Sequence, residues 1–155
     1  LYPPNLYKGI FWWGNPKVMY LGMQDQYYTF NMFDAQAWYA RDYILGRIKL
    51  PPLDEQAADM QKWIAWEESL EDPFQAIDFQ TEYTRDLLQP TDYPPLNVDE
   101  VARLFKEWEH HKAENILTYR DNCYPSTLTG TMAPKHHTPW MQALDDSMAA
   151  FLANK

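Results

Sequence analysis

From Thr29 onward the apolar positions recur three and four residues apart. Phe30, Phe33, Ala37, Ala40 and Ile44 make a stripe along one helical face. Thr29 or Asn31 is placed to cap the start of that helix, and Gly46 stands where a left-handed C-cap belongs. Pro51-Pro52 then stops regular structure. Leu53 to Leu70 predicts a second helix, acidic at its start and carrying Met60, Trp63, Ile64 and Trp66. Asp72-Pro73 opens a third, with Asp at the cap and Pro in the first turn, running to about Gln89. Pro90 to Pro95 reads as a stiff link. Asp99 to Tyr119 is the fourth helix, and Thr138-Pro139 begins a fifth that ends near Ala153.

Before Thr29 the pattern is that of strands and turns. Leu6 to Trp13 and Lys17 to Met23 are rich in aromatic and aliphatic residues that suit strands, separated by a Gly14-Asn15-Pro16 turn. Gly22 closes the second run, where an isolated glycine allows close approach of backbone or ligand. Strands this short are not stable alone, and the remaining sequence supplies no sheet for them. The predicted fragment is a short β segment followed by about five helices.

Composition narrows the function. A chain of 155 residues is one ordinary domain, with 13 basic and 22 acidic residues giving a net charge of −9. That acidity repels phosphate backbones and argues against nucleic acid. No apolar run reaches membrane-spanning length, no signal-peptide pattern opens the chain, and the single Cys123 fits a reducing compartment. Trp, Tyr and Phe number 7, 11 and 7, and 12 Pro against 5 Gly describes a packed chain with rigid punctuation. The five glycines never form G-x-G-x-x-G or a phosphate loop, so this chain does not cradle a dinucleotide pyrophosphate through its own glycine-rich turn. It begins at Leu1 inside a strand-and-turn region, as a fragment or a trimmed boundary does.

Several residue sets carry candidate chemistry. His110-His111 and His136-His137 are adjacent pairs whose side chains diverge by about 100° on a helix, so neither pair chelates a metal by itself. Cys123 has no neighbouring base in sequence and reads as an inert thiol. Gly22 to Phe33 is different in kind. A strand end, the polar run Gln24-Asp25-Gln26 and a helix start follow one another, and such junctions are where open α/β sheets bind ligands. Gln24, Gln26 and Thr29 have donors and acceptors for that role, or simply satisfy the turn. Trp108 near Phe105 and Lys112 is either core or pocket wall. Arg120 suits a forked grip on phosphate or carboxylate, or a structural pair with a nearby acid.

At Gly22 to Asp42 (GMQDQYYTFNMFDAQAWYARD) the chain resembles bacterial flavin-containing monooxygenases, and among them the trimethylamine monooxygenases. Glu107 to Lys112 (EWEHHK), Thr118 to Asp121 (TYRD) and Thr129 to Trp140 (TGTMAPKHHTPW) agree with the same family in order. The resemblance implies an α/β parent fold with two dinucleotide-binding domains, whose glycine fingerprints lie upstream of the matched portion. This chain is then the C-terminal part. Residues 1–50 supply a strand and the flavin-facing helix of the FAD-binding domain, and residues 51–155 a helical extension packed on the same domain.

The resemblance also implies roles. Positions matching Gln26 and Thr29 contact FAD, the one matching Arg120 contacts NADPH, and Tyr27 and Trp108 match aromatic positions near the substrate pocket. Tyr27 stands where the family usually has Trp, which alters pocket size and substrate range. The implied chemistry is oxygenation of trimethylamine to its N-oxide through a flavin C4a-hydroperoxide, with NADPH and O₂ as co-reactants. The implied partners are the upstream N-terminal portion of the same protein, a small amine and, for the intact cytoplasmic enzyme, a second copy of itself. The chain alone is expected not to be catalytic. The alternative is a non-catalytic, aromatic-rich helical interaction module derived from that family.

Overall fold

The computed structural model describes residues 2–24, 27–127 and 129–132, and the chain divides into two compact units, Leu1–His110 and His111–Lys155. The predicted fifth helix, from Thr138 to Ala153, lies outside the described residues.

The first apolar run is not one strand. Leu6–Tyr7 (β1) and Phe11–Trp12 (β2) form an antiparallel hairpin, with Leu6 opposite Trp12 and Tyr7 opposite Phe11. The reversal comes from Lys8 and Gly9, both at positive φ (54° and 63°). A Cβ at Gly9 would lie 2.1 Å from Gln24 Nε2 and 2.6 Å from the Tyr83 hydroxyl, so glycine is needed there for room as well as for φ. The Gly14-Pro16 turn is present, with the Asn15 N–H donating to the Trp12 carbonyl at 2.9 Å. Lys17 to Met23 forms no strand; among the described residues it makes a single bridge, from Met19 to Phe11. Gly22 at φ 72° turns the chain away, and Tyr20, Leu21 and Met23 are exposed. The Trp12 N–H donates to the Val18 carbonyl at 3.0 Å and the Tyr20 N–H to the Ile10 carbonyl at 2.9 Å, pairing that stops at one bridge.

Four α-helices follow among the described residues. α1 spans Phe30–Ile44, α2 Leu53–Glu68, α3 Pro73–Leu88 and α4 Val98–Glu114. The predicted cap at Gly46 is there. Its φ is 72°, its N–H donates to the Tyr43 carbonyl at 3.0 Å, and the Arg47 N–H reaches the Asp42 carbonyl at 2.8 Å. That is a Schellman motif, whose left-handed residue glycine adopts without strain. Asp72 caps α3, accepting from the Gln75 N–H at 2.8 Å, while Gln75 Oε1 accepts from the Glu71 N–H at 2.8 Å.

Two predictions about helices are corrected. α1 buries Met32, Ala35, Gln36, Tyr39, Ala40 and Asp42, whereas Phe30 and Ile44 are 80% and 68% exposed. The buried face is turned by about a third of a turn from the apolar stripe, because two polar residues, Gln36 and Asp42, find partners inside. α4 ends at Glu114 rather than Tyr119. Asn115 ends it by accepting the Leu117 N–H with its own side chain at 3.1 Å, and a short 3₁₀ turn, Tyr119–Asp121, comes after.

α3 packs on α1 and α2, and α2 packs on β1. The core between them is aromatic. Tyr2 stacks on Trp63 (centroids 6.1 Å apart), and Phe79 and Tyr83 meet Trp63 edge-on at 5.4 and 5.7 Å. The proline-rich link is tied to α1, where the Trp38 ring lies 5.1 Å from Tyr93 and Arg41 bridges Asp42 and Asp92.

Buried tyrosines make the fold sensitive to alkali. Burial pushes the Tyr7 and Tyr28 hydroxyls up to about 12, and Tyr2, Tyr39 and Tyr83 higher still. Each folded value exceeds the unfolded value of 10.0, so stability is complete below that pH and is lost as pH rises through the folded values. We expect one cooperative loss of far-UV circular dichroism above about pH 10, accompanied by a step in tyrosinate absorbance. Independent titration of every tyrosine near pH 10 with helix content intact would contradict this.

Candidate functional site

Gly22, Gln24, Tyr27 and Tyr28 are positioned by side chains that reach them from α1 and α3. The Gly22 N–H donates to Gln36 Oε1 at 2.7 Å. A Cβ at Gly22 would lie 2.5 Å from the Phe33 ring, so the close neighbour of this glycine is a side chain of α1. Gln24 is turned inward and buried, donating to the Tyr83 hydroxyl at 2.9 Å and accepting from Gln36 Nε2 at 2.8 Å. The Tyr83 hydroxyl also accepts from Gln36 Nε2 at 2.9 Å and donates to the Lys8 carbonyl at 2.6 Å. Four strands of chain distant in sequence therefore meet at one oxygen. Gln24, a candidate ligand donor by sequence, belongs to this interior network.

α3 takes hold of two consecutive tyrosines, Tyr27 and Tyr28. The Tyr27 N–H donates to Gln80 Oε1 at 2.7 Å. Tyr28, buried, places its hydroxyl 2.7 Å from Thr81 Oγ1 and donates to the Val98 carbonyl at 3.1 Å. With Tyr28 pinned inside, the half-buried Tyr27 ring faces α4. It meets Phe105 and Trp108 edge-on, with centroids 6.1 and 6.4 Å away. The two residues assigned to a substrate pocket, 81 positions apart in sequence, thus share one aromatic corner.

Thr29 follows at the start of α1. It is exposed, with φ 40° and ψ −111°, and its side chain makes no hydrogen bond to the helix end. A β-branched residue at positive φ is strained, by about 1–3 kcal/mol for such outliers, and here no intramolecular cap offsets it. Gln26 lies outside the described residues. Arg120 belongs to the second unit, on the 3₁₀ turn, exposed, with its guanidinium 4.6 Å from the Tyr119 ring centroid. In the same unit Cys123 is a half-buried free thiol, and His111 Nδ1 lies 2.8 Å from the Tyr124 hydroxyl.

No protein-family model matches the chain. Curated relatives do. Trimethylamine monooxygenase of Methylocella silvestris strain BL2 is 66% identical over 151 residues, and that of Pelagibacter sp. strain HTCC7211 is 58% identical over 152. The crystal structure of Tmm from the latter superposes with a TM-score of 0.87 over 97% of this chain. The chain is similar to a third of a trimethylamine monooxygenase. The matches cover 97–98% of this chain, which spans 34% of the length of each of these relatives. The similarity to trimethylamine monooxygenases runs through every described element, so the hairpin, the four helices and the aromatic corner all lie inside it.

Tyr27, Thr29 and Trp108 stand out through the likeness to trimethylamine monooxygenases, whereas Gln80, which holds the Tyr27 backbone, and Lys8, Gln36 and Tyr83, which hold Gly22 and Gln24, do not. Lys8, Gln36, Gln80 and Tyr83 are all buried. Gln80 lies within the i, i+3, i+7, i+10 series Ile77, Gln80, Thr84, Leu87, whose four members are all buried. A polar residue on a face flanked by apolar ones was the signal available, since a buried amide must find partners. Lys8 gave no such sign. It sits in the hairpin turn, 2.7 Å from Asp86 and 3.1 Å from Asp59.

Proposed function

We propose that this chain is the C-terminal portion of an FAD- and NADPH-dependent monooxygenase, in which trimethylamine, O₂ and NADPH give trimethylamine N-oxide, water and NADP⁺. Identity of 49–66% over nearly the whole chain to proteins named trimethylamine monooxygenase carries this reading. The overall reaction balances: one oxygen atom goes to the amine nitrogen, and the other leaves as water with two electrons from NADPH and a proton. When bound, FAD supplies the redox chemistry, drawing reducing equivalents from NADPH and activating O₂.

The chain's own residues supply position and shelter. Thr29 suits a cofactor contact, since its hydroxyl is exposed, has no cap bond to make and is held in a strained conformation. The N-terminal end of α1 behind it favours the negative charge of a reduced flavin. Gln26 takes a second contact to FAD, and Arg120 a charged contact to NADPH. Tyr27 and Trp108 form an aromatic wall that fits a small methylated amine and excludes water. The amine must keep its nitrogen lone pair to accept oxygen, so shape and dryness serve the reaction better than a strong cation cage. In this reading residues 1–50 complete the FAD-binding domain, residues 51–155 extend it, and the chain without the rest of a cytoplasmic enzyme has no turnover.

The test is the visible absorption spectrum of the intact purified protein together with trimethylamine-dependent NADPH oxidation. Thr29→Val, which keeps the shape and removes the hydroxyl, should weaken FAD retention about tenfold, the worth of one hydrogen bond of about 1.4 kcal/mol. Unchanged flavin occupancy in that variant would remove Thr29 from the cofactor site. A colourless protein that takes up no added FAD would instead favour the non-catalytic interaction module.

A further inference from the structure

We propose that Gln80 is a positioning residue for amine recognition: from the middle of α3 it holds the backbone of Tyr27, so that the Tyr27 ring stands edge-on to Trp108. The inference rests on the reading of Tyr27 and Trp108 as substrate-pocket walls. Three observations carry it. Gln80 is 1% exposed, buried far more deeply than its polarity favours unless its amide is used. Its Oε1 accepts the Tyr27 N–H at 2.7 Å, across 53 residues of sequence. Its neighbour Thr81 holds the next residue, with Oγ1 2.7 Å from the Tyr28 hydroxyl.

These contacts divide the work. Thr81 and the Val98 carbonyl anchor Tyr28 through its side chain, which fixes the segment in the core. Gln80 instead fixes a main-chain group of Tyr27, and a main-chain hydrogen bond sets the direction of the Cα–Cβ bond without touching the ring. The ring then has Phe105 at 6.1 Å and Trp108 at 6.4 Å as its neighbours from α4. Gln80 touches neither substrate nor cofactor in this scheme. Its effect on the amine is carried by Tyr27.

The experiment is steady-state kinetics on the intact, flavin-loaded enzyme with trimethylamine. Gln80→Leu keeps the side-chain size and removes the acceptor; Gln80→Glu keeps an acceptor oxygen at the same reach. Gln80→Leu should raise KM for trimethylamine about tenfold, the consequence of one lost buried acceptor, with kcat within about twofold and flavin content unchanged. Gln80→Glu should stay within about threefold of the parent KM, since the acceptor is retained. The effect must also pass through the ring, so Gln80→Leu added to Tyr27→Ala should change KM no further, a non-additivity that a general structural role would not produce.

A flavin-loaded Gln80→Leu enzyme with the parent KM overturns the inference, and so does full additivity with Tyr27→Ala. Should Gln80→Leu not fold, Gln80→Glu decides: a KM raised tenfold despite the retained acceptor overturns it, and a preserved KM supports it. If the unmodified enzyme holds flavin and turns over trimethylamine, these failures concern Gln80 alone. If it does neither, the pocket reading fails first and the role of Gln80 falls with it.

Discussion

Tyr83→Phe should lower the unfolding free energy by about 3 kcal/mol, although it removes a single oxygen atom. That oxygen accepts from Gln24 Nε2 and Gln36 Nε2 and donates to the Lys8 carbonyl, and the residues involved are buried. Each group left without a partner in the interior costs about 1–3 kcal/mol, and the loss is shared because the two glutamines can partly re-pair. Burial raises the Tyr83 hydroxyl well above its ordinary value, against the pull of the Gln36 and Gln24 hydrogen bonds, so it stays protonated and able to donate throughout the physiological range. Urea denaturation of parent and variant measures the difference. Tyr93→Phe is the control, because that hydroxyl donates to the exposed Asp34 at 3.3 Å and its removal should matter by less than about 0.5 kcal/mol. Equal midpoints for Tyr83→Phe and Tyr93→Phe would falsify the view that this network holds the Gly22–Gln24 segment.

Lys8→Met is the second large effect expected, a loss of about 2–4 kcal/mol. The Lys8 ammonium is nearly enclosed, while Asp59 and Asp86 keep 24% and 39% of their side-chain surface in water, so the figure is set below that for a fully buried pair. Methionine fills the same volume but leaves two carboxylates facing an apolar group and each other. Burial alone would depress the Lys8 ammonium; the hydrogen bond and charge of Asp86, with Asp59, carry it above the ordinary lysine value instead. With the folded value raised, the contribution is complete below the unfolded value of 10.5 and is lost as pH rises through the folded one. The stability gap between parent and Lys8→Met should therefore be constant through neutral pH and close in alkali. A gap that is already absent at pH 7 would mean that solvent screens the three charges.

Tyr83 and Lys8 belong to the interior behind Gly22 and Gln24, and local signals in the chain give neither of them away. Helix positions were legible because their signals are local: Asp72-Pro73 starts α3, and Gly46 ends α1 in a Schellman motif. The end of α4 was misplaced because an asparagine side chain competes with the helix for backbone donors, and no apolar period marks that. The face of α1 was misjudged for a related reason. Phe30 outranks Gln36 on any hydrophobic scale, yet Gln36 is buried because Gly22, Gln24 and Tyr83 use both ends of its amide.

The helical order, the net acidity, the missing glycine fingerprint and the likeness to trimethylamine monooxygenases are all written in neighbouring residues or in composition. Only the tertiary structure decided that Tyr27 meets Trp108, that Lys8 lies between Asp59 and Asp86, and that Gln80 holds the backbone beneath Tyr27. The reason is physical: a buried hydrogen bond or ion pair depends on the distance between two groups, and chain separations of 51, 53 or 78 residues carry no record of that distance until the helices pack.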